Sequence, residues 1–170
     1  VMPEIMIPLV GSINEFNHQK KIIVDIANQI ESKNNLKINY KIGTMIELPR
    51  ACLVAGEIAK SADFLSFGTN DLTQTTFGFS RDDVSEVLKS YIQKEIIKED
   101  PFQTLDISGV GKLIENAVSG ARKSNPKIKI GICGEHGGDP KSIAFFKKCG
   151  LDYVSCSPFR VPTAILCTAK

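Results

Sequence analysis

The stretch Lys41-Ile-Gly-Thr-Met-Ile-Glu-Leu-Pro-Arg50 decides the fold, and Phe64-Leu-Ser-Phe-Gly-Thr-Asn-Asp71 repeats its pattern. Each is a short apolar run that stops at polar residues and is followed by a segment that can form a helix. Such nearly continuous apolar runs are typical of strands buried in a parallel sheet. A polar residue at the carboxyl end of such a strand lies where α/β proteins carry out their chemistry. We therefore expect Glu47 and Asp71 to follow neighbouring strands of one sheet.

The same alternation of strand and helix extends over the whole chain. Strands are predicted at residues 4–10, 42–46, 64–69, 127–133 and 153–157. Between the first two strands the sequence predicts a helix that is capped by Asn14 and ends before a polar connection at 32–35. Residues 70–98 are predicted to be helical in pieces, with a break at 78–80 and a later helix at 84–97. Further helices are predicted at 49–60, 109–123, 141–148 and 158–170. Strands that alternate with helices favour a parallel sheet with right-handed crossovers.

Two α/β architectures fit this order: an open doubly wound sheet, or part of a (β/α)₈ TIM barrel. A complete barrel needs about 250 residues. Five strands within 170 residues would be the later portion of one, about five β/α units. We expect residues 1–170 to form a single domain.

Composition excludes several classes of protein. The net charge of +2 is too small to indicate a nucleic-acid partner, and no apolar run reaches the roughly 18–20 residues of a membrane span. The odd set of five cysteines lacks CxxC spacing, which favours a reduced protein in the cytoplasm over a disulfide scaffold. Two histidines without metal-ligand spacing argue against zinc.

The strand ends carry a candidate metal and anion site. Glu47 and Asp71 are oxygen ligands of the kind that Mg²⁺ prefers, and a buried carboxylate needs a partner. Gly68-Thr69-Asn70 can present backbone N–H groups to a phosphate or carboxylate at the start of a helix. Two alternatives stay open: Asp71 could be only a helix N-cap, and Gly68 could serve only a tight turn.

Cys133 is the candidate for proton transfer or nucleophilic chemistry. It ends the predicted fourth strand, before the loop Gly134-Glu-His-Gly-Gly138. A cysteine is mostly protonated at neutral pH, so it can donate a proton as readily as act as a nucleophile. The alternative is a structural thiol, which is our interpretation of Cys52, Cys149, Cys156 and Cys167. His136 could orient the Cys133 thiol or hold the loop, and we favour the loop.

Three motifs give the chain a resemblance to a known family. Residues 43–51, 64–74 and 131–139 resemble the C-terminal domain of the phosphoenolpyruvate-utilising enzymes, and the similarity covers essentially the whole chain. The resemblance implies a (β/α)₈ barrel that binds phosphoenolpyruvate, pyruvate and Mg²⁺ at the carboxyl ends of its strands. It also implies site roles: Mg²⁺ ligands Glu47 and Asp71, substrate-binding residues Glu47, Gly68, Thr69, Asn70 and Asp71, and Cys133 as the acid that protonates the pyruvate enolate.

Within the family, the loop after Cys133 favours the dikinase branch, which converts ATP, pyruvate and phosphate into AMP, phosphoenolpyruvate and diphosphate. Enzyme I of the sugar phosphotransferase system and the water dikinase (phosphoenolpyruvate synthase) are the nearest alternatives. The resemblance implies further parts that we expect to lie outside this chain: earlier barrel strands with phosphate-binding arginines, an ATP-grasp domain, and a phosphohistidine domain that serves as partner.

Part of a barrel has open strand edges, so we expect a homodimer or a marginally stable chain. The chain alone is expected to be inactive. Two readings from other classes stay open: a binding or dimerisation module without turnover, and an unrelated Mg²⁺-dependent lyase or aldolase on a similar barrel.

Overall fold

Five parallel strands form one sheet whose spatial order follows the chain. The computed structural model describes residues 2–80 and 84–169. The strands are β1 (Glu4–Ile7), β2 (Lys41–Ile46), β3 (Phe64–Gly68), β4 (Lys129–Cys133) and β5 (Tyr153–Val154), paired in the order β1-β2-β3-β4-β5. A doubly wound sheet reverses its strand order at a switch point, whereas a barrel adds each strand beside the last. The α/β fold and the partial barrel are confirmed, and within the described residues the sheet is not closed.

The described residues form eight α-helices, and several of them pack against one face of this sheet. The eight helices are α1 (Ile13–Asn34), α2 (Pro49–Leu53), α3 (Ala55–Ile58), α4 (Thr69–Phe77), α5 (Ser85–Gln93), α6 (Lys112–Ser124), α7 (Pro140–Lys148) and α8 (Val161–Ala169). Alternate residues of the central strands are buried under them: Ile42, Ile46, Leu65, Phe67, Ile130 and Ile132. Each such side chain contributes about 1.5–3 kcal/mol when fully buried. These residues form the main hydrophobic core together with residues of α2, α3, α6 and α7.

The opposite face of the sheet is concave. Lys129 Nζ on β4 lies 3.1 Å from a carboxylate oxygen of Glu4 on β1, with β2 and β3 between them. In a flat sheet the backbones of these two strands would be about 14 Å apart, from a spacing of about 4.8 Å per strand. The contact therefore requires the curl that is typical of a barrel wall.

The first helix is longer than predicted. Its N-cap is Ser12, not Asn14, and the Ser12 hydroxyl accepts a hydrogen bond from the Glu15 backbone N–H. The predicted polar connection at 32–35 is mostly helical, because α1 continues to Asn34 and ends where Asn35 takes a left-handed φ of 49°. Polar residues on the exposed side of a helix do not end it; the left-handed residue does.

Other elements depart from prediction where packing overrides local propensity. The predicted helix 49–60 is two helices that meet at Val54, whose ψ of 15° leaves helical geometry, and both pack on α6. A π-helical turn, Ile107–Gly111, precedes α6. A 3₁₀ turn, Pro158–Arg160, precedes α8, and the later helix predicted at 84–97 ends at Gln93. Parts of two predicted helical segments, residues 81–83 and Lys170, lie outside the described residues.

No helix in the described parts of the chain combines the length and the apolar character needed to cross a bilayer. All five cysteines are free thiols, as expected from their spacing.

Candidate functional site

Strand register brings three chemically distinct residues to one level of the sheet. Ile46 pairs with Phe67, and the next pair along β3 and β4 is Gly68 with Cys133. Glu47 follows Ile46 directly, so Glu47, Gly68 and Cys133 lie side by side at the carboxyl edge of β2, β3 and β4. In-register residues of neighbouring strands share one face. The sequence prediction that these strand ends meet is thus consistent with the structure.

Glu47 is a buried carboxylate beside a second carboxylate. Its side chain is 2% exposed, its Oε1 accepts a 2.7 Å hydrogen bond from the Leu9 backbone N–H, and it lies within hydrogen-bonding reach of Asp71. Burial raises the pKa of Glu47, the Leu9 hydrogen bond opposes this, and the Asp71 carboxyl adds to the rise. Among the described residues no basic side chain hydrogen-bonds to Glu47. Two adjacent acids without a base favour a proton or a cation between them.

The donor set around this acid pair fits a hard cation. Both side chains offer only oxygen, which suits Mg²⁺ better than zinc, whose sites are usually built from Cys and His. No group of three or more His, Cys, Asp or Glu residues that could hold a metal occurs in residues 2–80 and 84–169. A cation here would therefore take two protein carboxylates and complete its shell with water or substrate, which is the common arrangement for Mg²⁺.

Gly68 makes room for the Glu47 carboxylate. A Cβ atom built at Gly68 would lie 2.6 Å from Glu47 Oε2 and 2.9 Å from Glu47 Cβ. Its φ of −90° is open to any residue, so space, not conformation, demands glycine here. A side chain at position 68 would displace the candidate metal ligand.

The first turn of α4, residues 69–71, is a candidate binding site for an anion, which we call the anion seat. Gly68 is the N-cap of α4 and provides no side-chain hydrogen bond to the helix. The first N–H groups of a helix have no partner within it, so they can bind a phosphate or carboxylate. Asp71 lies in this first turn and is not the N-cap, which removes the alternative of a simple cap.

The loop after β4 holds the start of α4 in place. The Glu135 backbone N–H donates to Asn70 Oδ1 at 3.3 Å, which leaves the Asn70 amide N–H groups to act as donors. Thr69 is fully buried, and its Oγ1 lies 2.7 Å from His136 Nδ1. Gly134 has a φ of 116°, and a Cβ atom there would lie 2.9 Å from Thr69 Oγ1, so only glycine fits. The loop after β4 and the first turn of α4 are therefore held together by these contacts.

Cys133 presents a protonated thiol at this edge. Its Sγ lies 3.6 Å from the Phe67 carbonyl oxygen, to which it can donate, and 3.8 Å from the Ser66 hydroxyl. Burial raises the pKa of the thiol, the Ser66 hydrogen bond opposes this, and the negative charge of Glu47 adds to the rise. These conditions favour a proton donor over a thiolate nucleophile. Elsewhere in the chain, burial raises the pKa of Cys52 to about 12 and that of Cys149 to about 11, as for structural thiols.

His136 holds the loop and does not hydrogen-bond to the Cys133 thiol. Both ring nitrogens are engaged, Nδ1 with Thr69 Oγ1 and Nε2 with the Pro101 carbonyl oxygen at 2.8 Å. Burial lowers the pKa of His136, while the Pro101 hydrogen bond and the carboxylates of Asp139, Asp100 and Glu135 oppose this.

Sequence reasoning missed several residues of the site. Leu9 acts through its backbone N–H from a left-handed φ of 55°, and Pro101 acts through its carbonyl, so neither side chain carries a signal. Ser66 is a polar residue within the apolar strand β3, and that position is the one sequence signal that could have identified it. Beyond β5, the predicted polar end Ser155–Ser157 lines a cavity of about 190 Å³ with Gly134, Glu135 and Arg160.

Comparisons with protein-family models and with known proteins point to the same family. The family model described as PEP-utilising enzyme, PEP-binding domain, matches residues 1–170. The chain is 58% identical to pyruvate, phosphate dikinase 1, chloroplastic, of Oryza sativa subsp. japonica over 100% of the chain and 18% of that protein. It is also 58% identical to pyruvate, phosphate dikinase 2 of Zea mays, over 19% of that protein, and 56% identical to pyruvate, phosphate dikinase 1, chloroplastic, of Arabidopsis thaliana, over 18%. The chain thus spans less than a fifth of the length of these relatives.

Proposed function

The chain belongs to the PEP-utilising enzymes, whose PEP-binding domain it matches throughout, and from this premise we propose that it forms the phosphoenolpyruvate- and pyruvate-binding part of a pyruvate, phosphate dikinase. One observation carries the proposal beyond family membership. An acid pair, an open helix N-terminus and a protonated thiol occupy adjacent strand ends at one edge of the sheet. These groups suit an enol phosphate, whose phosphoryl group needs charge neutralisation and whose released enolate needs a proton.

Glu47 and Asp71 are proposed as the protein ligands of Mg²⁺. A bound Mg²⁺ would neutralise negative charge on the phosphoryl group and on the enolate oxygen. The protein's part is to keep the two carboxylates adjacent: Leu9 fixes one oxygen of Glu47, and Gly68 leaves space for the other.

The first turn of α4 is proposed to bind the substrate's carboxylate or phosphate. Its backbone N–H groups, from Thr69 to Asp71, supply partial positive charge at the helix N-terminus. The amide N–H groups of Asn70 can donate to the same ligand, because Glu135 already occupies its oxygen.

Cys133 is proposed as the acid that completes pyruvate formation. When the phosphoryl group leaves phosphoenolpyruvate, the enolate needs one proton at C3. The Cys133 thiol can give that proton because its raised pKa keeps it neutral until the enolate forms. The thiolate then takes a proton from solvent before the next turnover.

The experiment is calorimetry with Mg²⁺ and oxalate, an enolate mimic, on the protein at its full natural length. Wild type is expected to bind both, Glu47→Gln to lose Mg²⁺-dependent oxalate binding, and Cys133→Ala to retain it. His18→Gln, on the exposed side of α1, serves as the control. Oxalate binding that is indifferent to Mg²⁺ and to Glu47 would contradict the proposal.

Partners and location follow as finer proposals. The phosphoryl group would pass to or from a histidine on a phosphohistidine domain of the same protein, and the protein would act as a homodimer. The cysteine pattern predicts a cytoplasmic location. Two of the relatives named above are described as chloroplastic, so the location stays a prediction. Enzyme I and the water dikinase are the family alternatives, and a module that binds without turnover is the alternative from another class.

A further inference from the structure

His136 is a buried titratable group that the proposed chemistry does not use. Its side chain is 0% exposed, although a histidine in a loop is usually accessible to solvent. It lies at the junction of three segments: the loop after β4, the first turn of α4 and the segment that contains Pro101. A buried polar ring with both nitrogens engaged is costly to misplace, so its contacts define a fixed geometry.

The contacts of the ring determine its tautomer. Nε2 faces the Pro101 carbonyl oxygen, which can only accept, so Nε2 carries the hydrogen and donates at 2.8 Å. In neutral imidazole Nδ1 is then an acceptor, and the Thr69 hydroxyl donates to it at 2.7 Å. The alternative acceptor for that hydroxyl, the Cys133 carbonyl oxygen, is farther away at 3.4 Å.

The direction of these bonds assigns a role to Thr69. Its single hydroxyl proton is committed to His136, and its side chain is buried, so Thr69 reaches a ligand through its backbone N–H and not through its side chain. Thr69 is the first residue of α4, so the bond from its hydroxyl to His136 ties the turn that carries the candidate anion seat to the loop after β4.

We propose that His136, as the neutral Nε2–H tautomer, is a positioning residue that fixes the substrate-binding turn of α4 by anchoring Thr69 to the Pro101 segment. The inference rests on the proposed function of that turn. It adds a residue that touches neither substrate nor metal, and it connects the site to Pro101, which lies 35 positions before His136 in the chain.

The two ring bonds can be separated by two substitutions. His136→Asn places an amide oxygen near the position of Nδ1, so it keeps the acceptor for Thr69 and loses the bond to Pro101. His136→Gln places an amide N–H near the position of Nε2, so it keeps the bond to Pro101 and loses the acceptor for Thr69. Each variant loses one of the two ring hydrogen bonds, and we expect both to lower thermal stability to a similar extent.

Substrate affinity should distinguish them. We expect the Gln variant at full natural length to bind Mg²⁺–oxalate about tenfold more weakly than wild type, since its Thr69 hydroxyl is left without its acceptor. The Asn variant should stay within about threefold of wild type, and KM for phosphoenolpyruvate should follow the same order with kcat changed less. His18→Asn and His18→Gln, at the other histidine of the chain, are the matched controls.

Thr69→Val tests the same bond from its other end, and it does not depend on whether a His136 variant folds. It should weaken oxalate binding about as much as His136→Gln does, and the double variant should be no weaker than either single one. Equal affinities for the Asn and Gln variants, or additive effects in the double variant, would overturn the role of His136. A wild type that binds no Mg²⁺–oxalate would instead overturn the proposed function.

Discussion

The centre of the sheet and its two flanks are built in opposite ways. At the centre, the ends of β2, β3 and β4 are polar, mostly buried and joined by hydrogen bonds between loops that are distant in sequence. At the flanks, α1 and α8 expose large apolar side chains, such as Ile26 at 51% and Leu166 at 68%. An apolar groove of about 270 Å³ lies between α1 and the β1 region, lined by Ile5, Ile26 and Ile30 among others.

The difference separates a region held by its own hydrogen bonds from regions that expose apolar surface. The bonds of the centre each connect two described residues, whereas the phosphate-binding arginines that the family resemblance implies are expected outside this chain. The flanks carry apolar surface of the kind that a helix normally buries, and β1 and β5 each have one unpaired edge among the described residues. Changes at the centre should therefore affect function strongly, and changes at the flanks should affect association.

The largest effect is expected at the thiol of the centre. Cys133→Ala should reduce pyruvate formation by about 10²–10⁴-fold, the usual contribution of a general acid, while Mg²⁺–oxalate binding is retained. Release of pyruvate from phosphoenolpyruvate by the protein at full natural length measures it. Cys149→Ala is the control, because that thiol also has a raised pKa but lies at the C-cap of α7. Loss of Mg²⁺ affinity in Cys133→Ala would contradict the assignment.

The second effect concerns the space that Gly68 leaves. Gly68→Ala introduces a Cβ atom 2.6 Å from Glu47 Oε2, so the carboxylate must move. We expect Mg²⁺–oxalate affinity to fall by about tenfold or more, as when a group that orients a metal ligand is lost. Gly11→Ala is the control, since the nearest atom to a Cβ there is 3.6 Å away. Equal affinities for the two variants would show that Glu47 does not need its present position.

Local signals explain what the sequence could predict at the centre. The apolar runs of β2, β3 and β4 and the polar residues that follow them are neighbours in the chain, so Glu47, Asp71 and Cys133 could be assigned to strand ends. The register that aligns Glu47, Gly68 and Cys133 could not be predicted, because a parallel sheet does not fix it. Leu9 and Pro101 could not be predicted, because they act through backbone atoms that any residue provides. The break at Val54 likewise could not be predicted, because residues 49–60 contain no internal proline; it lies where α2 and α3 pack on α6.

A third and smaller effect is the pH dependence of the metal-free chain. The pKa of Glu47 is raised above its ordinary value of 4.5. At a pH between 4.5, the ordinary pKa of the unfolded state, and the raised pKa of the folded state, the folded protein holds a proton that the unfolded protein has lost. The free energy of unfolding should therefore fall as pH rises through this range. Urea unfolding at pH 5 to 8 measures it. Glu47→Gln should flatten this dependence, while Glu57→Gln, at an exposed site, should leave it unchanged. The lowered pKa of His136 contributes with the opposite sign in both proteins, so the difference in stability between wild type and Glu47→Gln is the deciding quantity. A difference that does not fall as pH rises would contradict the buried state of Glu47.

The smallest effect on the chain alone is expected at the flank. Ile26 is half exposed on α1, so Ile26→Lys should change the free energy of unfolding of this chain by no more than about 0.5 kcal/mol. If a further segment of the protein or a second copy covers this face, the same lysine would be buried there without a partner and would lower the stability further.

Thermal unfolding midpoints of the chain alone and of the protein at full natural length measure the two cases, with Gln29→Lys, on the exposed polar side of α1, as the control. We expect the midpoint to fall for Ile26→Lys only at full length, because the relatives are more than five times longer than this chain and the β1 edge next to α1 is unpaired among the described residues. Equal, small shifts for both lysines in both proteins would mean that the flank stays open to solvent, and the contrast with the centre would then reflect only the absence of chemistry at the flank.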